Sequence, residues 1–197
     1  MRLVVGISGA TGSLYGIRLL EILKKKKIET HLIVTSTAKE IIQEETTYSM
    51  KKVESLASHV YENENLHASI SSGSFITDGM VIIPCSIKTL SGIAHSYNEN
   101  LMTRAADVTL KEKRKLILVV RETPFHQGHI ELMLQVSRMG AILLPPMPAF
   151  YFQPKTIDDL VNHTVGKALD LFQIDHHLFD RWGSSKLKGI YKKGLKN

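Results

Sequence analysis

Leu3-Val4-Val5-Gly6-Ile7-Ser8-Gly9-Ala10-Thr11-Gly12-Ser13 decides how the rest of the chain reads. Residues 3–7 form an apolar run without polar alternation, which predicts a strand buried on both faces. Gly6, Gly9 and Gly12 then permit a tight turn and close backbone approach. A helix follows, with Leu14, Ile17, Leu20 and Leu23 on one face and Arg18, Glu21 and Lys25 on the other. Four more apolar runs, at 31–34, 80–84, 116–120 and 141–144, repeat the strand pattern. Helical spacing recurs in Ile130, Met133, Leu134 and Val136. It recurs again after the Thr156/Asp159 start signal, in Ile157, Leu160, Val161, Val165 and Leu169. Strands alternating with helices predict a three-layer α/β fold: a Rossmann/flavodoxin-like open parallel sheet with helices on both faces.

Composition agrees with one compact domain over residues 1–182. The chain has 197 residues, 43% hydrophobic and 22% charged, with no linker or repeat dividing it. No apolar run approaches the roughly 18 residues needed to span a bilayer, and the N-terminus lacks a signal-peptide core, so a cytoplasmic protein without membrane contact is expected. The lone Cys85 excludes an internal disulfide and a C-x-x-C pair. Of the net charge of +6, five lysines without a compensating acid fall in residues 183–197, leaving +1 on residues 1–182. That segment predicts a basic, mobile tail. It has no aromatic residue but Tyr191 and no recognition motif, so nucleic acid is not expected as a partner.

In open parallel sheets ligands bind beyond the carboxyl ends of the strands. The first such loop spells G-x-x-G-x-x-G and not G-x-G-x-x-G. Its N–H groups suit phosphate or a flat polar ring, and a plain strand-to-helix turn fits as well. The second run ends in Thr35-Ser36-Thr37, hydroxyl donors or a helix N-cap, where a dinucleotide binder usually offers an acid. Glu45 shares a helical stripe with Ala38, Ile41 and Ile42. It is either paired or protonated there, or left in water by a fraying helix end.

The third run leads into Pro84-Cys85-Ser86-Ile87-Lys88-Thr89, with Cys85 read as a core residue, and the fourth into Arg121-Glu122-Thr123-Pro124. Arg104, Asp107 and Lys111 share a helix face, which alone implies only a solvated ion pair. His126 and His129 lack an acid between them, so no metal site is expected, and no Ser-His-Asp set can be assembled. Tyr48/Lys52 and Tyr151/Lys155 spell Y-x-x-x-K. Pro148 and Pro154 break any helix at the second, and the first comes too early in the fold.

Together, Gly9-Ala10-Thr11-Gly12, Pro84-Cys85-Ser86 with Thr89, Arg104-Ala105-Ala106-Asp107, Leu110-Lys111-Glu112, Arg121-Glu122-Thr123-Pro124 and Pro148-Ala149-Phe150-Tyr151 resemble the UbiX-type flavin prenyltransferases. In particular the chain looks like the small B subunit of phenolic-acid decarboxylase systems. The resemblance implies metal-independent transfer of a dimethylallyl group from dimethylallyl monophosphate to N5 and C6 of reduced FMN. The product, prenylated FMN, would pass to a UbiD-type decarboxylase. It implies FMN contacts from Gly9, Ala10, Thr11, Thr35, Ser86, Ile87, Lys88, Thr89 and Arg121. Ser72, Gly73, Arg104, Lys111, Tyr151 and Lys167 would surround the donor phosphate, partly from neighbouring subunits. Arg104 and Lys111 would stabilise the leaving phosphate, while Glu122 and Glu45 would transfer protons.

Thr11 and Thr35 stand where Ser is commoner in that family. Lys167 stands where Arg is commoner and lacks its bidentate fork. A homo-oligomer, a dodecamer by resemblance, is expected. The alternatives are an FMN-dependent cysteine-type decarboxylase of the same fold, a nicotinamide reductase, and a non-catalytic decarboxylase subunit. Against the first, the sequence shows neither the catalytic histidine expected after the third run nor a Met- and Asn-rich clamp.

Overall fold

The structure, a computed structural model, describes residues 1–184. Most of the expected basic tail therefore lies outside the described residues. Six strands form one parallel sheet in the order β3-β2-β1-β4-β5-β6. They are β1 (Arg2–Ile7), β2 (Glu29–Val34), β3 (His59–Tyr61), β4 (Gly79–Cys85), β5 (Lys115–Val120) and β6 (Ile142–Leu143). The helices are α1 (Ser13–Lys25), α2 (Ser36–Glu45), α3 (Met50–Glu54), α4 (Ile87–Ala94), α5 (Leu101–Lys111), α6 (Gln127–Met139) and α7 (Ile157–Leu171). The order reverses between β1 and β4, so a crevice opens beyond their carboxyl ends.

The described residues fall into two compact units, Met1–Pro146 and Met147 onward. In the first, the apolar runs are buried on both faces. Val4, Met80, Ile82, Leu116, Leu118 and Val120 share one core with Leu90, Ile93, Leu101, Met102 and Ala105 of α4 and α5. On the opposite face α1 buries Ile17, Leu20 and Leu23. Gly16 brings α1 so close to the sheet that a Cβ there would lie 2.5 Å from the Ile83 carbonyl oxygen. In the second unit α7 carries the expected capping box: the Thr156 side chain accepts the Asp159 N–H, and the Asp159 carboxylate accepts the Thr156 N–H. The rings of Tyr151, Phe152, His163 and Phe179 pack together beside it.

Two expectations need correction. There is a sixth strand, β3, three residues long and exposed at the sheet edge, where no apolar run marks it. The stripe expected along α6 is also rotated. Val136 is the buried residue of that helix, with Leu132, Met133 and Met139 packed beside it, while Ile130 and Leu134 are 56% and 49% exposed. Periodicity marks both edges of so wide an apolar stripe, and a single chain covers only one of them.

Candidate active site

Ser8, fully buried, ties the two strands at the point of reversal. Its hydroxyl accepts the Ser86 N–H at 2.8 Å and donates to the Pro84 carbonyl at 3.0 Å. Beyond it lies a cleft of about 1060 Å³ walled by Gly9, Thr35–Thr37, Asn63, Ser86–Thr89, Thr103 and Glu122 among others. That volume is just above the usual range for ligand and cofactor sites, about 300–1,000 Å³. Gly9 shapes the wall, since a Cβ there would lie 2.8 Å from Thr37.

Seven expected residues, Gly9, Thr35, Ser86, Ile87, Lys88, Thr89 and Glu122, line this cleft; Ala10, Thr11 and Arg121 are not among its walls. For the hydroxyls both readings hold at once. The Thr35 oxygen caps α2 by accepting the Ala38 N–H at 3.2 Å, and the Ser86 oxygen caps α4 by accepting the Thr89 N–H at 3.3 Å. A capping oxygen still has an O–H to donate, which for Ser86 goes to the Thr89 hydroxyl at 3.1 Å. Glu122 forms no ion pair with Arg121. Its carboxylate accepts the Thr123 N–H at 2.9 Å. Cys85 is fully buried and burial pushes its thiol well up, so no thiolate is offered.

Glu45 is paired, as one reading of its stripe has it, but its partners belong to another element. It is the last residue of α2, and its carboxylate reaches back to the start of α1, accepting the Gly12 N–H at 2.9 Å and the Ser13 N–H and hydroxyl at 3.1 and 3.0 Å. Partial burial works to raise its pKa. The hydrogen bonds from Thr11, Gly12 and Ser13 outweigh that and hold it below the ordinary value of 4.5. The carboxylate thus occupies the anion position that the glycine loop suggests for a ligand. Because the folded value is depressed, the contribution to stability is present above the unfolded value. It fades as pH falls from about 4.5 through the depressed folded value. Glu45→Gln is expected to flatten the acid limb of the stability profile in that window, measured by urea unfolding; a profile identical to wild type contradicts the cap.

A second polar group gathers where α5 meets the 69–74 loop. Arg104 Nε donates to the Ser71 carbonyl at 3.0 Å and pairs through Nη1 with Asp107 at 3.4 Å. Lys111 pairs with Glu112 at 2.5 Å and not with Asp107. A Cβ on Gly73 would come within 2.7 Å of Lys111 Nζ, so glycine lets the ammonium lie against the loop backbone. Four expected donor-site residues, Ser72, Gly73, Arg104 and Lys111, are therefore neighbours. In the second unit Lys167 pairs with Asp170 at 3.8 Å, and burial raises the Tyr151 pKa, which keeps its phenol protonated. Arg181, absent from the expected set, binds both oxygens of the same Asp170 at 2.6 and 2.9 Å.

Sequence reasoning missed Asn63, which follows the unmarked strand β3. Its side-chain oxygen accepts the Met102 N–H at 3.1 Å, and its carbonyl accepts the Leu101 N–H at 2.7 Å, fixing the start of α5 at the cleft. No helix among the described residues is long and apolar enough to cross a membrane.

A parallel sheet with a polar crevice at its point of reversal defines a class of nucleotide- and flavin-site proteins. Residues 1–169 match the flavoprotein family. The flavin prenyltransferase UbiX of Thauera aromatica is 53% identical over 192 residues, covering 98% of this chain and 99% of the relative. A crystal structure of AnUbiX (PadA1) with FMN and dimethylallyl pyrophosphate superposes with a TM-score of 0.91 at 45% identity, covering 93% of this chain and 97% of that one. A dodecameric FMN-dependent UbiX-like decarboxylase from Escherichia coli O157:H7 gives the same TM-score at 50% identity, covering 93% of this chain and all of that one. The chain belongs to the UbiX-type flavin prenyltransferase family, a family of prenyl-transferring enzymes.

Proposed function

We propose that the protein transfers a dimethylallyl group from dimethylallyl phosphate to reduced FMN at N5, closes a ring at C6, and releases prenylated FMN to a UbiD-type decarboxylase. The observation that carries this reading is the juxtaposition of the 69–74 loop with Arg104 and Lys111, two cations whose carboxylate partners Asp107 and Glu112 give way to the donor phosphate, outside the walls of the cleft at the point of strand reversal.

The cleft suits FMN in size and in its donor set of Thr35, Ser86, Thr89 and the ammonium of Lys88. FMN, when bound and reduced, supplies a nucleophilic ring nitrogen. The protein's residues supply placement and charge. Arg104 and Lys111, against Ser72 and Gly73, hold the donor phosphate and stabilise the negative charge that grows on it as the allylic C–O bond breaks. Tyr151 and Lys167 join that set, in part from neighbouring subunits, and the phenol O–H donates to the departing phosphate. Glu122, on the cleft wall, accepts the proton that ring closure must expel. Glu45 acts with it through its bonds to the glycine loop, and Ala10, Thr11 and Arg121 complete the FMN contacts from the rim.

The same reading makes the protein a homo-oligomer, a dodecamer like its relative from Escherichia coli O157:H7; the exposed Phe125, Ile130 and Leu134 supply apolar surface for subunit contacts. Anaerobic incubation with reduced FMN and dimethylallyl phosphate is expected to release one inorganic phosphate per flavin. Release no faster than in a protein-free control overturns the proposal.

A further inference from the structure

At the amino ends of β1, β2 and β3, opposite the end of the sheet that carries the cleft, parallel register places Arg2 beside Glu29 and His31 beside His59. Glu29 and His31, two residues apart on one strand, face the same side. The result is a cluster in which one ligand atom each from Glu29, His31 and His59 lie within 4.8 Å of one another. His31 Nε2 is 3.0 Å and His59 Nε2 3.7 Å from the same oxygen, Glu29 Oε1, and the two imidazoles stack at 4.7 Å. The longer separation is outside hydrogen-bond range, so no hydrogen bond accounts for the direction of His59.

We propose that Glu29, His31 and His59 form a binding site for a divalent transition metal of the zinc type, with water as the fourth ligand. This departs from the expectation of no metal site and is separate from the prenyl-transfer chemistry. Two imidazoles and one carboxylate with an open position are a recognised zinc donor set. Tetrahedral ligands at Zn–N and Zn–O distances near 2.0–2.1 Å lie about 3.3 Å apart, close to the 3.0 and 3.7 Å that separate Glu29 Oε1 from the two imidazole nitrogens.

The surroundings suit the ligands. His31 is buried, and its Nδ1 lies 2.9 Å from the Tyr61 hydroxyl, which lies 3.1 Å from the Ser69 hydroxyl. A phenol both donates and accepts. When metal takes the Nε2 lone pair of His31, the ring proton moves to Nδ1 and donates to Tyr61, which can turn its own O–H to Ser69, with no net change in protons on the ring. Phe75 packs edge-on to His31 and under Arg2, closing the inner side, while His59 is half exposed and leaves an entry path from solvent. Arg2 Nε donates to Glu29 Oε1 at 2.8 Å and is the group that competes with a cation. Metal would tie the exposed strand β3 to β2.

Zinc titration of the full chain by calorimetry, with Co2+ absorption as the spectroscopic probe, tests this. One ion per chain and tetrahedral Co2+ bands are expected. His59→Ala, an edge-strand change that leaves the core intact, is expected to weaken binding at least ~10-fold, since even outer-shell partners are worth about 10–100-fold. Arg2→Gln is expected to tighten it. No one-to-one binding by the wild-type chain overturns the site, as does one-to-one binding undiminished in both His59→Ala and His31→Gln.

Discussion

Glu122→Gln is expected to leave FMN bound and to slow formation of the prenylated product by roughly 10²–10³-fold, within the span of general acid–base catalysis. The amide keeps an oxygen that can accept the Thr123 N–H, so the loop after β5 should hold its shape. What it loses is a base able to take the proton that ring closure must shed. The loss should therefore fall on turnover and not on the FMN dissociation constant, read by flavin fluorescence. Unchanged turnover would remove Glu122 from the mechanism.

Lys111→Ala is expected to lower the rate by about 10²–10³-fold, the cost of removing one preorganised charge from a developing anion. Arg104→Ala is expected to act in the same direction and also to loosen the 69–74 loop, because Arg104 Nε holds the Ser71 carbonyl. Both residues lie outside the walls of the cleft, so FMN affinity should be preserved in each variant. Single-turnover measurements over a range of donor concentrations separate weaker donor binding from a slower chemical step. Wild-type kinetics in Lys111→Ala would place the donor phosphate elsewhere.

The sheet was legible in the sequence wherever a strand is buried on both faces. Residues 3–7 and 116–120 announce themselves because neither side of those strands tolerates a polar residue. β3 was not legible: His59-Val60-Tyr61 is short, at the edge, and exposed. Missing it hid Asn63, which follows it, and the pairing of His31 with His59, which exists only through strand register. The partners of Glu45 were hidden for a different reason. Helical periodicity describes a residue's own helix, whereas its partners Gly12 and Ser13 belong to another, 33 and 32 residues away. The hydroxyls at 35 and 86 were easier, since strand ends that meet at a reversal of order are where a ligand crevice must open.

The resemblance contributed what local physics cannot. Arg104 and Lys111 on one helix face read as an ordinary solvated stripe, and the structure indeed gives each a carboxylate partner, Asp107 and Glu112. The place of Arg104 against the Ser71 carbonyl and of Lys111 beside Gly73 emerges only in three dimensions.

This chain is expected to build a new carbon framework on a flavin. The most direct measurement is the mass of the flavin recovered after anaerobic incubation of the protein with reduced FMN and dimethylallyl phosphate. A flavin heavier by one C5H8 unit is the predicted result. Unmodified FMN, under conditions in which a known family member converts it, would contradict the account.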